Sequence, residues 1–408
     1  MIKVAFRNLA RRKRRTMITA ASIGFGVWLA VLTIGIREST YQRFVLAGAQ
    51  AGYGYLTVGD QGFQPSQPSL SSLPEATPLI EKLEAIPGVI KVLPRRVGEA
   101  VLQSTRRNTG SAWLAVDPKR EGPGFNLFCQ NMLGGACDAT WQKGALIGAT
   151  LAKNLQLKQG DQLIYTFQHA PNQNISLMTE IRGIFQTGSE ELDGHLFMLP
   201  LDEVNSQLPP ESRSISYLAT FVADSYAVDQ IFPLIKAQLG TEQLMTWQKT
   251  QPDLDEYFAA DRIMYYTMLA FVVLIIAAGV TTCTNMNIIE RRREMGTLLA
   301  IGMFPLQLLQ LLLTEAFCLA WIGLSLGIVT VAPFFLYLHF HGFDFSPYVA
   351  EADQLGHQAG AEFLIGCSLH WIQVFSITAT IFLISLLAAL YPALSAAYTL
   401  PIKILREA

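Results

Sequence analysis

The sequence Glu-Arg-Arg-Arg-Glu-Met-Gly-Thr-Leu-Leu-Ala-Ile-Gly-Met-Phe-Pro occupies residues Glu290–Pro305 and separates two long apolar runs. Upstream, Ile263–Ile289 contains no Asp, Glu, Lys or Arg, and about 20 apolar residues are enough for a helix to cross a bilayer. Downstream, the chain becomes apolar again from Leu306. This pattern predicts a short polar connection between two membrane-spanning helices.

The connection itself has the spacing of an amphipathic helix. Met295, Leu298, Leu299 and Gly302 fall at i, i+3, i+4 and i+7, which places them on one helical face. Gly302 can end this helix, and Pro305 suits the first turn of the next one. We therefore predict a short helix that lies between the two spans.

Three consecutive arginines place this connection on the cytoplasmic side of the membrane. By charge alone, they need only set the topology. The order of residues favours a more specific interpretation, because Glu290-Arg-Arg-Arg-Glu-Met-Gly296 and Leu-Leu-Ala300-Ile-Gly302 resemble the coupling-helix signature of FtsX-like ABC permeases. That family includes the MacB-type and lipoprotein-release permeases, and the resemblance implies that the helix docks into a groove on a separate ATPase subunit. The residues that it implicates in ATPase coupling are Glu290, Arg291, Arg292, Arg293, Glu294, Gly296, Ala300 and Gly302. One difference is Phe304-Pro305, where a polar capping residue is common in the family.

The composition is that of a membrane protein with a soluble part. Of the 408 residues, 51% are hydrophobic and 15% are charged, whereas an ordinary soluble domain has about 25% charged residues. The basic N-terminus adjoins an apolar run, so we interpret it as a cytoplasmic topology signal before an uncleaved anchor rather than as a nucleic-acid site. The predicted segments are a basic cytoplasmic N-terminus (1–15), four transmembrane helices (16–36, 263–289, 305–338 and 370–391), a periplasmic α+β domain (37–262), a cytoplasmic coupling helix (290–304), a periplasmic loop (339–369) and a cytoplasmic tail (392–408).

The large segment Arg37–Arg262 differs from the rest of the chain. It carries 18 Lys and Arg against 24 Asp and Glu, a net charge of −6, and it is long enough to bury a core. Strand-like and helical segments alternate, which predicts an α+β fold with a hairpin around Pro171-Asn172. Val89–Leu93 and Ala100–Gln103 are predicted to be two of its strands, and Pro252–Arg262 is predicted to continue the second span as helix.

Several short sequence motifs in this segment resemble the extracytoplasmic domain of the same permeases. Gly183-Ile-Phe-Gln-Thr-Gly188 through Leu192-Asp193 resembles the lipoprotein-release branch most closely. The resemblance implies a porter-like lobe interrupted by an inserted lobe, so that the first and last parts of the domain pack together. A longer loop that grips a carrier in one release subunit is absent here, since His169–Ser176 is a short turn.

Two cysteines lie eight residues apart in this domain, at Cys129 and Cys137. A disulfide, two free thiols and half of a metal site are the alternatives. No Cys or His pair lies nearby to complete a zinc site. Outside the cytoplasm a local disulfide is favoured.

The third span contains one charge, Glu315. An ionisable residue at that depth is either near the headgroups or functional.

Ala20 and Gly24 in the first span form a small-xxx-small pair that would let another helix approach closely. Gly323-Leu-Ser-Leu-Gly327 matches the Gly-x-Ser-x-Gly motif of serine nucleophiles. That motif needs a strand–turn–helix setting with an exposed serine, whereas this copy lies inside a predicted membrane helix, so we do not assign it a catalytic role.

The sequence has no Gly-x-x-x-x-Gly-Lys-Ser/Thr loop and no His-Glu-x-x-His site, so we expect neither catalysis nor a metal on this chain. The resemblance implies the permease half of an ABC exporter in the bacterial inner membrane, with ATP and magnesium on a partner ATPase dimer. A second copy or a related permease subunit would complete it, and the cargo would be a lipoprotein or another hydrophobic molecule passed to a periplasmic carrier or accessory protein. The alternatives are a signalling permease that activates a cell-wall hydrolase and a MacB-like efflux permease.

Overall fold

The computed structural model describes residues 13–67, 72–73, 76–105, 107–170, 173–209, 213–344 and 364–404. The chain divides into two compact units. The membrane unit comprises Met1–Thr40, Ala259–Phe343 and Ile365–Ala408, and the α+β domain comprises Tyr41–Phe258 and Asp344–Leu364. Predicted features that lie outside the described residues are the N-terminal residues 1–12, the turn at Pro171-Asn172, residues 345–363 of the predicted periplasmic loop, and the tail beyond residue 404.

The elements of the first part of the chain are α1 (Lys13–Gly48), a π-helical turn (Ala49–Tyr53), β1 (Leu56–Gly59), α2 (Ala76–Glu84), β2 (Val89–Gln103), β3 (Asn108–Val116), α3 (Leu127–Gln130), β4 (Met132–Gly134), β5 (Ala145–Gly148), α4 (Ala149–Leu155), β6 (Gln162–Ala170) and β7 (Gln173–Phe185). The remaining elements are α5 (Glu190–His195), β8 (Leu196–Pro200), α6 (Leu201–Ser206), β9 (Tyr217–Val222), α7 (Ala227–Gln238), β10 (Gln243–Thr246), α8 (Trp247–Thr250), α9 (Pro252–Glu290), α10 (Arg292–Ala300), α11 (Pro305–Phe340), β11 (Phe343–Asp344), β12 (Leu364–Ile365) and α12 (Trp371–Ile404).

Four helices in the described part of the chain are long and apolar enough to cross a membrane. Their stretches are Thr16–Tyr53, Pro252–Glu290, Pro305–Phe340 and Trp371–Tyr398. The α+β domain lies between the first and second of these helices in the sequence, so the predicted fold class is confirmed. The helices α1 and α9 extend beyond the predicted spans 16–36 and 263–289, because helical sequence continues past the apolar residues.

One ten-stranded sheet runs through the α+β domain. Its order is β10-β1-β9-β2-β3-β8-β5-β7-β4, and β6 pairs with both β2 and β7. The first strand, β1, lies between β9 and β10 near the end of the domain, which agrees with the expected packing of first and last segments. The pairs β3·β8 and β5·β7 are parallel, and the other pairs are antiparallel.

The prediction of two separate strands at Val89–Leu93 and Ala100–Gln103 is wrong, because both belong to the single strand β2. The residues between them include Arg95, whose side chain is fully buried. Its Nε and Nη2 atoms lie 3.0 and 3.1 Å from the two carboxylate oxygens of Glu121. A buried charge is tolerated when it is paired in this way, so the strand continues through Arg95.

The core of the membrane unit depends on a close approach of α1 to α11. A Cβ added at Gly327 would lie 2.6 Å from the carbonyl oxygen of Gly24, and one at Gly323 would lie 2.7 Å from Cβ of Ile23. The predicted small-xxx-small segment of α1 therefore meets the Gly323–Gly327 segment of α11. Ser325, the serine of the Gly-x-Ser-x-Gly match, donates a hydrogen bond from its hydroxyl to the carbonyl of Trp321 in the same helix at 2.8 Å.

We predict that Gly327→Ala destabilises the protein. The added methyl group would press on backbone, where overpacking costs about 1–3 kcal/mol, and this exceeds or cancels the roughly 1 kcal/mol gained in helix propensity. The control is Gly279→Ala in α9, where a new Cβ would meet no atom within 4 Å. Thermal unfolding of the purified chain in detergent should show a lower midpoint for Gly327→Ala only. Equal midpoints for the two variants would contradict the packing described for α1 and α11.

Candidate coupling site

The connection between the second and third spans folds as a short helix with defined ends. Helix α9 ends at Glu290, Arg291 leaves the helical conformation with φ −106° and ψ 14°, and α10 follows. At the other end, Gly302 has φ +104°, in the left-handed region that glycine adopts without strain. We call Glu290–Pro305 the elbow.

The start of α11 is capped without a polar residue at the capping position. The side-chain oxygen of Gln307 accepts a hydrogen bond from the backbone N–H of Phe304 at 3.2 Å. Pro305 occupies the first turn of α11, where its missing N–H does no harm. The sequence difference noted at Phe304-Pro305 is thus compensated by Gln307.

The inward face of the elbow helix is narrower than predicted. Met295 is buried in a cluster with the start of α11 and the end of α12, including Leu308, Leu312 and Ala397, and Leu299 packs against the same cluster. Leu298 and Gly302, which were predicted to share this face, are exposed. The cluster therefore buries only the part of the helix face that carries Met295 and Leu299. Leu298 and Gly302 lie outside it.

Arg291 connects three parts of the elbow region. Its Nη1 atom lies 3.0 and 3.2 Å from the two carboxylate oxygens of Glu315 in α11, and its Nε atom lies 3.0 Å from a carboxylate oxygen of Glu294 in α10. The Arg291 and Glu315 side chains are only 12% and 6% exposed, whereas Glu294 is 64% exposed. The intramembrane charge of the sequence is therefore one half of a buried ion pair.

This ion pair fixes the charge state of the elbow. Partial burial by itself would lower the pKa of Arg291, but the carboxylates of Glu315 and Glu294 outweigh it and raise the pKa above its ordinary value. Arg291 consequently stays positively charged throughout the physiological pH range. A protonated, hydrogen-bonded guanidinium satisfies the buried carboxylate, which would otherwise be costly at this depth.

The other residues implicated in coupling line the surface of the elbow. Glu290, Arg293, Glu294, Ala300 and Gly302 are exposed, and Arg292 and Gly296 are half-buried. Beside these charges lie large apolar side chains that the described residues leave uncovered. Ile301 is 79% exposed, Phe304 is 70% exposed, and Leu298 is 37% exposed. Periodicity had assigned Leu298 to the inward face, so the sequence reasoning missed this outward apolar surface.

The remaining site predictions concern the α+β domain. Cys129 and Cys137 are joined by a disulfide with a Cα–Cα distance of 5.3 Å. Asn126 holds the start of this loop, because its side-chain oxygen accepts from the backbone N–H groups of Phe128 and Cys129 at 3.0 and 3.2 Å. Within the described residues, no group of three or more His, Cys, Asp and Glu residues could hold a metal ion.

Comparison with known proteins identifies the class first. Residues 266–401 match the family model described as FtsX-like permease C-terminal, and this region contains the elbow, α11 and most of α9. This third of the chain is therefore of the FtsX-like permease type.

Two relatives match more than half of this chain. The chain is similar to the macrolide export ATP-binding/permease protein MacB of Rhodospirillum rubrum, with 26% identity over 373 residues, which is 83% of this chain and 54% of that protein. It is also similar to an uncharacterised ABC transporter permease of Methanocaldococcus jannaschii, with 22% identity over 231 residues, 55% of this chain and 54% of that protein. The chain thus spans about half the length of these relatives. These similarities support an FtsX/MacB type of ABC transporter permease.

Two solved structures resemble the chain over about half its length. The periplasmic region of MacB from Actinobacillus actinomycetemcomitans covers 49% of this chain and 92% of its own, with 8% identity and a TM-score of 0.34. The extracellular domain of the transporter YknZ from Gram-positive bacteria covers 47% of this chain and 100% of its own, with 13% identity and a TM-score of 0.31.

We predict that Glu315→Leu destabilises the protein strongly, because it leaves the Arg291 charge buried without its main partner. Breaking a buried pair in this way costs about 3–5 kcal/mol. The double variant Arg291→Leu/Glu315→Leu should recover much of that loss, since it removes both charges. Thermal unfolding in detergent measures both effects.

The matched control is Glu294→Ala, which removes the exposed partner of the same arginine. An exposed ion pair is worth about 0–1 kcal/mol, so its unfolding midpoint should stay close to that of the unaltered protein. If Glu315→Leu unfolds no earlier than Glu294→Ala, the buried pair does not hold the elbow to α11.

Proposed function

We propose that the chain is the permease subunit of an exporter driven by mechanical transmission, and that the elbow is the surface on which a separate ATPase dimer docks. The observation that carries this proposal is the combination of Ile301 and Phe304, exposed just after the charged helix α10, with a buried ion pair at the start of that helix. Exposed apolar side chains rimmed by charges are typical of protein interaction sites. The ATPase would supply ATP and magnesium, and this chain would supply the helix that it moves.

In this proposal, the chain lies in a bacterial inner membrane. The elbow and both termini are cytoplasmic, and the α+β domain is periplasmic. Three arginines at the elbow and the basic N-terminus support this orientation. Two permease subunits, either two copies or this chain and a related one, would face each other. Helix α9 carries the chain from Pro252 to Glu290 without a break, which suits the transmission of a displacement along its length.

We propose a lipoprotein or another hydrophobic molecule of the outer leaflet as the cargo, passed to a periplasmic carrier or accessory protein. The support is the likeness of Gly183–Asp193 to the lipoprotein-release branch. Within this segment, Asp193 has a structural role in the domain. The Asp193 carboxylate accepts from the backbone N–H and hydroxyl of Thr187 at 2.9 and 2.8 Å and from the N–H of Gly188 at 3.2 Å.

A second candidate function is efflux. It is favoured by the relative named for macrolide export, which is 26% identical over most of this chain. Release and efflux differ in what contacts the α+β domain. A photo-crosslinking residue at Met178, which is exposed on β7, would capture an acylated protein in release, an efflux duct in export, and a cell-wall hydrolase in signalling.

The docking proposal is tested by Ile301→Asp. A charge in the centre of an apolar contact costs more than about 1.4 kcal/mol, which is tenfold in affinity. The tagged chain purified from its own host membranes should carry a nucleotide-binding subunit with vanadate-sensitive ATP hydrolysis. In Ile301→Asp the amount of this subunit and its hydrolysis should fall at least about tenfold.

The control is Ile90→Asp, which changes the same residue type at an exposed position of β2. It should retain the nucleotide-binding subunit in full. Equal retention by the two variants, or purified chain that never carries a nucleotide-hydrolysing subunit, would refute docking at the elbow.

A further inference from the structure

The membrane unit contains a second polar centre, far from the elbow along α9. Arg37 in α1 forms an ion pair with Asp261 in α9, with Nε 2.6 Å from Oδ2. Asp261 lies 29 residues before Glu290, which is about 44 Å of helix at 1.5 Å per residue. A bilayer with its headgroups is about 40–45 Å thick. The pair is therefore placed at the headgroup level of the leaflet opposite the elbow.

A cavity of about 290 Å³ opens beside this pair, between α1, α9 and α12. Its lining combines polar and aliphatic side chains. The polar ones are Arg37, Tyr265, Tyr266, Gln373, Ser376 and Thr380, and the aliphatic ones are Ile34, Leu269, Val273, Ile377 and Ile381. The volume is close to the lower end for ligand sites. A site with a polar head and an apolar body fits part of an amphiphilic molecule.

The polar groups of this cavity are held in place but have capacity left. Arg37 is fixed by Asp261 and by the ring of Tyr265, whose centroid lies 5.1 Å from the guanidinium carbon. A guanidinium has five N–H donors, and the ion pair occupies Nε. The arginine side chain is 24% exposed, so its remaining donors can reach a ligand.

Two further polar atoms lack a partner within the described residues. Tyr265 is 8% exposed, and its hydroxyl makes no hydrogen bond. Gln373 donates from Nε2 to the carboxylate of Glu38 at 2.9 Å, but its buried Oε1 atom accepts no hydrogen bond. Buried polar atoms are rarely left unsatisfied in native proteins, so each of these two atoms calls for a partner that the protein itself does not supply.

From these contacts we infer a phospholipid site within a single permease subunit. The lipid phosphate would accept from the free donors of Arg37, which match a phosphate in the bidentate manner of arginine. One acyl chain would lie along Leu269, Val273 and Ile377. The occupant is a lipid of the surrounding leaflet, so the inference does not depend on which cargo the transporter moves.

The test uses the full chain in nanodiscs of phosphatidylcholine that contain a few mole per cent of phosphatidylethanolamine with a photoreactive diazirine on its acyl chain. After irradiation, mass spectrometry should locate the adducts on the cavity-lining residues of α9 and α12. Arg37→Gln should lower the adduct yield by about tenfold or more, because charge-assisted hydrogen bonds are lost.

A second variant keeps the test valid if Arg37→Gln fails to fold. Val273→Trp fills the cavity and leaves the ion pair intact, and it should lower the adduct yield equally. Its control is the adjacent Leu274→Trp, which points away from the cavity lining and is 65% exposed. That variant should leave the yield unchanged.

Two results would overturn the inference. One is labelling spread over the exposed faces of all four helices and unaffected by Arg37→Gln or Val273→Trp. The other is displacement of the lipid by an equal concentration of a triacylated lipopeptide that carries no phosphate, with the lipopeptide binding equally to Arg37→Gln. That second result would assign the cavity to acylated cargo.

Discussion

Hydrocarbon cannot solvate an unpaired charge, and this constraint governs the membrane unit. The ionisable residues of its helices are grouped at two levels. At one level Arg291 pairs with Glu315, and at the other Arg37 pairs with Asp261 while Glu38 accepts a hydrogen bond from Gln373. Since each pair joins different helices, the same contacts that neutralise charge also fix how the helices sit beside one another.

Between these two levels, close packing of the helix backbones holds the helices together. The backbone of α1 lies against that of α11 because Gly24, Gly323 and Gly327 have no side chains to separate them. Apolar side chains gain little from leaving lipid for the helix interface, so close packing of small residues must supply much of the association energy. Paired charges and close backbone contact thus provide what the hydrophobic effect provides in water.

The sequence predicted those features that depend on neighbouring residues. Long apolar runs marked the four spans, and the spacing of Met295, Gly302 and Pro305 marked the elbow helix. The continuity of α9 from Pro252 was predicted from the same kind of local signal. Each of these follows from what a helix of given length must bury, and needs no knowledge of the tertiary fold.

The features that the sequence could not predict depend on partners distant in the chain. Gly24 and the Gly323–Gly327 segment were each noticed, but nothing local indicates that they meet. Glu315 had two interpretations, and three adjacent arginines were equally eligible as its partner. Arg95 fell between two predicted strands, and the carboxylate that allows its burial belongs to Glu121, 26 residues away.

The position of Arg291 has a consequence for how the elbow can move. It stands at the break between α9 and α10, yet its carboxylate partner belongs to α11. A displacement that carries Arg291 away from α11 would strip the buried Glu315 of its counter-charge, which costs about 3–5 kcal/mol. Movement of the elbow together with α11 leaves the pair intact. A force applied to the elbow is therefore expected to move the ends of both helices as one body, and the flexible point must lie elsewhere along them.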